Sequence, residues 1–255
     1  MATGKVFLIG AGPGDLELLT LKAVKALSAA DVILIDDLVN QEILQFAKPG
    51  APVIRVGKRG GGRSTPQIFI SKQMISLASE GKCVARVKGG DPLIFARTHE
   101  ELKVLSEYGI EVSIVNGITA GLAAPATLGI PLTNRDYAHS ITFVTGRSRE
   151  SAQPNWRALV ESGSTLVIYM GMRTLHQIVE RLIKAGMPPT MPAAVVEQAT
   201  LAEERSLITS LSELPKAVLQ SGMASPAVII VGKVIEDAAA LKETATYLSG
   251  SGRLP

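Results

Sequence analysis

The chain is predicted to be an α/β protein made of two α/β domains in succession. Short apolar runs alternate with amphipathic stretches through its first half, the rhythm of a mostly parallel sheet covered by helices. The stretch Asn116–Tyr137 then changes character, with Gly117, Gly121, Pro125, Gly129 and Pro131 around a short Ala-rich helical piece. A second series of apolar runs follows it. The expected organisation is a first domain over 1–116, a crossing over 117–137, a second domain over 138–246 and a Gly/Ser-containing tail over 247–255. A chain of 255 residues, 46% of them hydrophobic, is large enough for two cores.

The first strand is predicted at Val6–Ile9. The loop Gly10-Ala11-Gly12-Pro13-Gly14-Asp15 follows it, and then a helix over Asp15–Ala29. This resembles the opening of a dinucleotide-binding unit but fails in detail. The third glycine of that pattern falls on Asp15, whose carboxylate repels a pyrophosphate and competes for the same amides. Pro13 also removes an N–H that a phosphate would want. Further strands are expected at Val32–Asp36, Val53–Val56, Lys82–Val87 and Glu111–Val115, with helices over Pro66–Ser79 and His99–Tyr108. In the second half, strands are expected at Ser140–Thr145, Thr165–Met170, Ala193–Glu197, Ser206–Thr209 and Ala227–Val231. Helices are expected there over Thr174–Ala185, Leu211–Ser221 and Glu236–Thr244.

The most informative run is Arg86–Phe95, which contains Gly89-Gly90-Asp91-Pro92 at the carboxyl end of a predicted strand. Open α/β sheets place ligand loops at that edge. Paired glycines let a backbone approach a ligand closely, and Asp91 offers a carboxylate to a hydroxyl or an amine. The alternative is a plain strand-to-helix turn. Lys58, Arg59, Arg63, Arg86, Lys88 and Arg97 form a run of cations, mostly at expected loop positions, suited to a polyanionic ligand.

Composition excludes several classes. Aromatic content is 4%, too low for single-strand stacking platforms, so no nucleic-acid partner is expected. No apolar run approaches the ~20 residues of a membrane span, and with a strand entered by Lys5 no signal peptide is expected. The single cysteine, Cys83, allows no internal disulfide and suits a reducing cytoplasm; it is expected as a small buried strand side chain. His99, His139 and His176 lack metal-ligand spacing, so no metal is expected.

Read together, Gly10–Thr20, Gly57-Lys58-Arg59-Gly60-Gly61, Arg86–Pro92, Gly117-Ile118-Thr119-Ala120 and Gly129–Thr133 with Arg135-Asp136 resemble, in order and spacing, the signatures of the tetrapyrrole methylase family. The resemblance covers essentially the whole chain. It implies two α/β domains with S-adenosylmethionine in the cleft between them, S-adenosylhomocysteine as product, and a homodimer. The implied reaction methylates two pyrrole carbons of uroporphyrinogen III, giving precorrin-2 by way of precorrin-1, for siroheme- and cobalamin-type tetrapyrroles.

The resemblance carries Pro13, Gly89, Gly90, Asp91, Ile94, Thr119, Ala120, Met170 and Ala199 over as cofactor contacts. It makes Asp36 the proton acceptor and Lys58 the donor, and places Arg97, Glu100, Arg135 and Met172 at the substrate. Residue chemistry leaves alternatives at several of these. Asp36 can instead cap a helix or order a loop, and Lys58 can instead bind a substrate carboxylate. Glu100 can hold a pyrrole N–H or serve as a first-turn helix residue, and Met172 can serve only for packing.

The chain also departs from the family pattern. Where the family reads G-R-G-G-E-E, the chain reads Ala96-Arg97-Thr98-His99-Glu100-Glu101, with Thr98 expected to cap the next helix. Arg147 replaces a histidine, Asn116 a proline and Ala199 a glycine. The rival readings are a same-fold methylase acting on a later corrin precursor, a diphthine precursor or ribosomal RNA, a non-catalytic tetrapyrrole- or nucleoside-binding protein that keeps the fold, and a nicotinamide oxidoreductase.

Overall fold

A computed structural model of the chain describes residues 4–57, 65–147 and 152–237. The chain divides into two units, Met1–Thr119 and Ala120–Pro255.

In the first unit, five parallel strands take the order β3-β2-β4-β1-β5. They are β1 (Lys5–Gly10), β2 (Val32–Ile35), β3 (Val53–Arg55), β4 (Cys83–Lys88) and β5 (Glu111–Val115). The strands read as near-continuous apolar runs because helices cover both faces. Helix α1 (Leu21–Ala29) packs on one face with Ile9, Ile33, Ile35, Ala85 and Val87. Helices α2 (Gln67–Ser79) and α3 (Thr98–Glu107) pack on the other with Val6, Leu8, Val32, Leu34 and Val84. The adjacent strands β1 and β4 therefore send their connections to opposite faces. Their carboxyl ends form a topological switch point, the usual ligand position of such a sheet.

In the second unit the sheet is mixed, in the order β6-β7-β10-β8-β9. Strands β6 (Ile141–Thr145) and β7 (Thr165–Tyr169) pair in parallel. The remaining pairs, made by β8 (Pro192–Glu197), β9 (Arg205–Ser210) and β10 (Ala227–Val231), are antiparallel. Helix α4 (Ala120–Thr127) contributes Ala124 to the core on one face. Helices α5 (Trp156–Glu161), α6 (Leu175–Lys184) and α7 (Leu214–Ser221) cover the other. The amphipathic spacing of Leu175, Ile178, Val179 and Leu182 turns one stripe of α6 inward.

Four details differ from the sequence expectation. The helix expected over Asp15–Ala29 is broken: Asp15 accepts from Glu17 N at 2.9 Å and starts a 3-10 turn at Leu16–Leu18, and α1 begins only after Thr20 caps it through Ala23 N at 3.1 Å. No α-helix N-terminus thus faces the glycine loop directly, a further reason it does not fit a pyrophosphate. Helix α7 starts at Leu214 rather than Leu211, with a proline in its first turn, where its missing N–H costs nothing. A 3-10 helix at Gln41–Phe46 and helix α5 were not expected; Asn40 and Asn155 cap them. Cys83 is partly exposed at the start of β4, and what burial it has pushes its thiol pKa up. The helix expected over Glu236–Thr244 lies outside the described residues except for Glu236 and Asp237, and the expected tail 247–255 lies wholly outside them.

Candidate functional site

The loops after β1, β4 and β5 meet through their backbones. Gly12 and Gly90 form a bridge, with Gly90 N donating to Gly12 O at 2.7 Å. A Cβ on Gly117 would lie 2.3 Å from Gly90 O, and one on Gly10 would lie 2.6 Å from both Gly90 O and Gly117 N. Real Cβ atoms do not approach backbone that closely, so the packing of these loops demands glycine here. Gly89 sits against Leu38, whose side chain is 70% exposed.

Asp91 organises this cluster. Its Oδ1 accepts from Leu93 N at 2.7 Å, and its Oδ2 accepts from Gly117 N at 3.1 Å and Asn116 Nδ2 at 3.2 Å. Oδ1 keeps one lone pair for a ligand donor, while both of Oδ2 are taken. Asp91 was expected to meet a ligand unless the loop was a plain turn; its bonds across to Asn116 and Gly117 had no signal in the sequence. Asn116, a departure from the family pattern, is one of its partners.

Beyond Pro92 the chain enters α3 through Phe95 and Arg97, both at positive φ. Arg97 is the αL residue preceding the helix. Thr98, expected to cap α3, instead donates its hydroxyl back to Pro92 O. That bond stiffens the loop across its base. Arg97 grips Glu100 through Nε and Nη2, both at 2.7 Å. The pair is open to solvent, 57% and 50% exposed, and Arg97 holds the Glu100 carboxyl below the usual range. A recess of about 320 Å³ beside it is lined by Leu93, Phe95, Ala96, Arg97, Thr98, His99 and Leu102. Ile94, an expected cofactor contact, is half-buried in the same turn.

Two of the cations expected to suit a polyanion, Arg86 and Lys88, behave otherwise. In β4, alternation turns Val84, Arg86 and Lys88 to one face, the face that carries Val32 and Leu34 of β2. The register pairs Leu34 with Arg86, so Asp36, two residues on, shares that face at the strand's end. Glu101 of α3 comes down onto it. Arg86 and Lys88 are therefore buried, and do not form an exposed patch for a polyanion. Glu101 Oε1 accepts from Arg86 Nε at 3.1 Å and Gln67 Nε2 at 2.8 Å, and its Oε2 accepts from Lys88 Nζ at 2.6 Å. Arg86 Nη2 reaches Asp36 Oδ1 at 2.7 Å. Burial pushes the Lys88 pKa down, and the charge of Glu101 opposes that shift. Glu101 was legible only as half of a Glu-Glu pair, and no sequence signal marked it as the buried one.

Asp36 does not cap a helix; Asn40 performs that task for the following 3-10 turn. A Cβ on Gly57 would lie 2.3 Å from Asp37 N, so the loop after β3 runs against the Asp36-Asp37 turn. Lys58 lies outside the described residues, as do Arg59 and Arg63.

In the second unit Ala120 and Ala199 line one core, and Met170 follows Tyr169 of that core in the chain. Gly121 N donates to Tyr169 Oη at 2.7 Å, which ties the start of α4 to the end of β7 next to Met170. Ala199 is buried in the core that Ala120 and Tyr169 also line. Met170 has positive φ, as have Gln198 and Thr200 on either side of Ala199. With Phe95 and Arg97, these are the non-glycine residues at positive φ among the described residues, and all lie at or beside expected site positions. Strained backbone of this kind collects at ligand sites. Thr119 is the last residue of the first unit and is buried. Arg135 lies exposed in the turn closed by Asn134 and Ala138. Met172 packs against the α6 core, which favours the packing alternative for it. Among the described residues, no three His, Cys, Asp or Glu side chains group to hold a metal ion, and no helix is long and apolar enough to cross a membrane.

A profile of the tetrapyrrole (corrin/porphyrin) methylases matches residues 5–215. The chain is 49% identical over 235 residues to the uroporphyrinogen-III C-methyltransferase of Pseudomonas aeruginosa, covering 92% of this chain and 96% of that one. It is 43% identical to the enzyme of the same name from Bacillus subtilis, covering 91% of each. Its fold matches the crystal structure of uroporphyrin-III C-methyl transferase from Thermus thermophilus complexed with S-adenyl homocysteine, with TM-score 0.79 and 35% identity over 91% of this chain and 99% of that one. The chain belongs to the tetrapyrrole methylase family.

Proposed function

We propose that this chain is an S-adenosylmethionine-dependent methyltransferase that methylates uroporphyrinogen III at two pyrrole carbons, giving precorrin-2 through precorrin-1. The observation that carries the reading is the close-packed glycine cluster of Gly10, Gly90 and Gly117, joined by Asp91 at the switch point of the first sheet. It offers backbone polar groups and a carboxylate beside the exposed apolar side chains of Leu38 and Leu93. That mixture fits a ligand with hydroxyls, an ammonium and an apolar sulfonium-bearing chain, and provides no dedicated phosphate cradle. The near-full-length likeness to enzymes of this name supports the same reading.

S-adenosylmethionine supplies the methyl group on its sulfonium. The chain's own residues align that group with an electron-rich pyrrole carbon, where alignment yields much of the rate. Asp36, at the end of β2, takes the proton that the macrocycle must lose. Lys58 is assigned to return a proton or to bind a substrate carboxylate. Arg97 and Arg135 bind the peripheral carboxylates of the macrocycle, a task suited to planar guanidinium. Glu100 steers Arg97. The homodimer and a cytoplasmic setting belong to this proposal, as does use of the product for siroheme- and cobalamin-type pigments.

The test is an anaerobic incubation with uroporphyrinogen III and methyl-labelled S-adenosylmethionine, with products resolved by mass. Gain of two labelled methyl groups is expected. Binding of S-adenosylmethionine without transfer to this substrate would overturn the choice of acceptor and favour a later corrin precursor.

A further inference from the structure

We propose that Arg86, anchored by the buried Glu101, is a positioning residue that fixes the Asp36 carboxylate for proton transfer. The inference deepens the functional reading above and rests on Asp36 being the group that acts on the macrocycle.

All three nitrogens of the Arg86 guanidinium are engaged. Nε donates to Glu101 Oε1 at 3.1 Å, Nη1 to Val87 O at 3.1 Å, and Nη2 meets Asp36 Oδ1 at 2.7 Å. The side chain is 3% exposed and that of Glu101 is 0% exposed, so neither reaches a substrate. Lys88 takes the other Glu101 oxygen, which leaves two cations balanced by two carboxylates. Asp36, at 28%, is the member of this chain of charges that reaches solvent. Its Oδ1 is held from inside the unit, and no described side chain takes its Oδ2.

A planar fork is what this arrangement needs. It spans from Glu101 on α3 to Asp36 at the end of β2 and fixes the angle between them. A lysine at the same place keeps the charge but has one nitrogen to divide between two carboxylates. A mobile Asp36 would spend less time aligned with the departing proton, and a misplacement of an ångström costs up to about 100-fold in rate.

The experiment compares Arg86→Lys, Asp36→Asn and the double variant, using the mass-resolved assay run to long end points so that slow variants are quantified. Melting temperature and S-adenosylmethionine affinity are measured on each. Arg86→Lys is expected to lower kcat by about 10- to 100-fold with KM for uroporphyrinogen III, cofactor affinity and melting temperature close to wild type. In the Asp36→Asn background the same change is expected to cost nothing further. An unchanged kcat in Arg86→Lys, or the full Arg86→Lys loss repeated on top of Asp36→Asn, would overturn the positioning role. If Arg86→Lys melts early, the same cycle is read at a temperature below the unfolding range of every variant, where loss of fold does not contribute to kcat. An Asp36→Asn variant that turns over at the wild-type rate would sink the reading of Asp36 itself. Slow Asp36→Asn with normal Arg86→Lys would sink the positioning role alone.

Discussion

Glu100 and Glu101 are neighbours in the chain, each paired with arginine, and they do opposite things. Glu100 is half-exposed and closes a short loop with Arg97, three residues back at the left-handed position before its helix. Glu101 has no exposure at all and joins α3 to Arg86 and Lys88 of β4. One residue of helical rotation, about 100°, separates a solvated pair from a buried one. An exposed pair is worth little to stability and leaves its cation ready for a ligand. A buried pair cannot be broken without stranding a charge.

The largest expected effect follows from the buried side. Glu101→Ala leaves Arg86 and Lys88 buried with one fewer carboxylate between them, and is expected to destabilise the protein by about 3–5 kcal/mol. Chemical denaturation of the variant beside wild type measures this. A loss below about 1 kcal/mol would mean that Glu101 behaves like its exposed neighbour, and the contrast would fail.

The exposed side predicts the reverse split. Arg97→Ala should change stability by no more than about 0.5 kcal/mol. It should weaken uroporphyrinogen III binding by about 10- to 100-fold, the worth of one hydrogen bond to a charged group, and leave S-adenosylmethionine affinity as it was. Equilibrium titrations with each ligand separate the two. Unchanged substrate affinity would return Arg97 to the role of a loop closure.

The sequence made most strands legible because they are short apolar runs ended by glycine, proline or a charge; Val32–Ile35 before Asp36 is an example. The glycine loops were legible for the same reason. The buried charges were not. Arg86 and Lys88 alternate with Ala85 and Val87, and only pairing with β2 and the docking of α3 decides that they face inward. A charged residue in a strand reads as a surface group until its partner is known, and Glu101 lies on a helix with no marker for depth. The double task of Asp91 was also hidden, because its second partner, Gly117, belongs to a loop that sequence reading placed with the crossing. At Thr98 the residue type gave a cap, while the left-handed Arg97 before it turned the hydroxyl toward Pro92 instead.

The smallest effect sharpens the same contrast at a second exposed pair. Asp31 bonds Lys48 Nζ at 2.8 Å and Cys83 N at 3.0 Å, holding the start of β4. The Lys48 bond, then that amide, draw the Asp31 pKa below its ordinary value. A carboxyl whose folded pKa is depressed binds its proton less readily in the folded state than in the unfolded chain. Its contribution is therefore whole above the unfolded pKa of about 3.9, and falls away as the pH drops through the folded value. Solvent screens the pair, so Asp31→Asn should cost about 0.5–1 kcal/mol near pH 7. The gap from wild type should close as the pH is lowered from about 4. Denaturant melts of both proteins from pH 7 to the acid limit measure it. A gap that persists unchanged at low pH would assign the effect to the shape of the Asp31 side chain rather than its charge, and exposed pairs of this unit would then have no electrostatic share in stability.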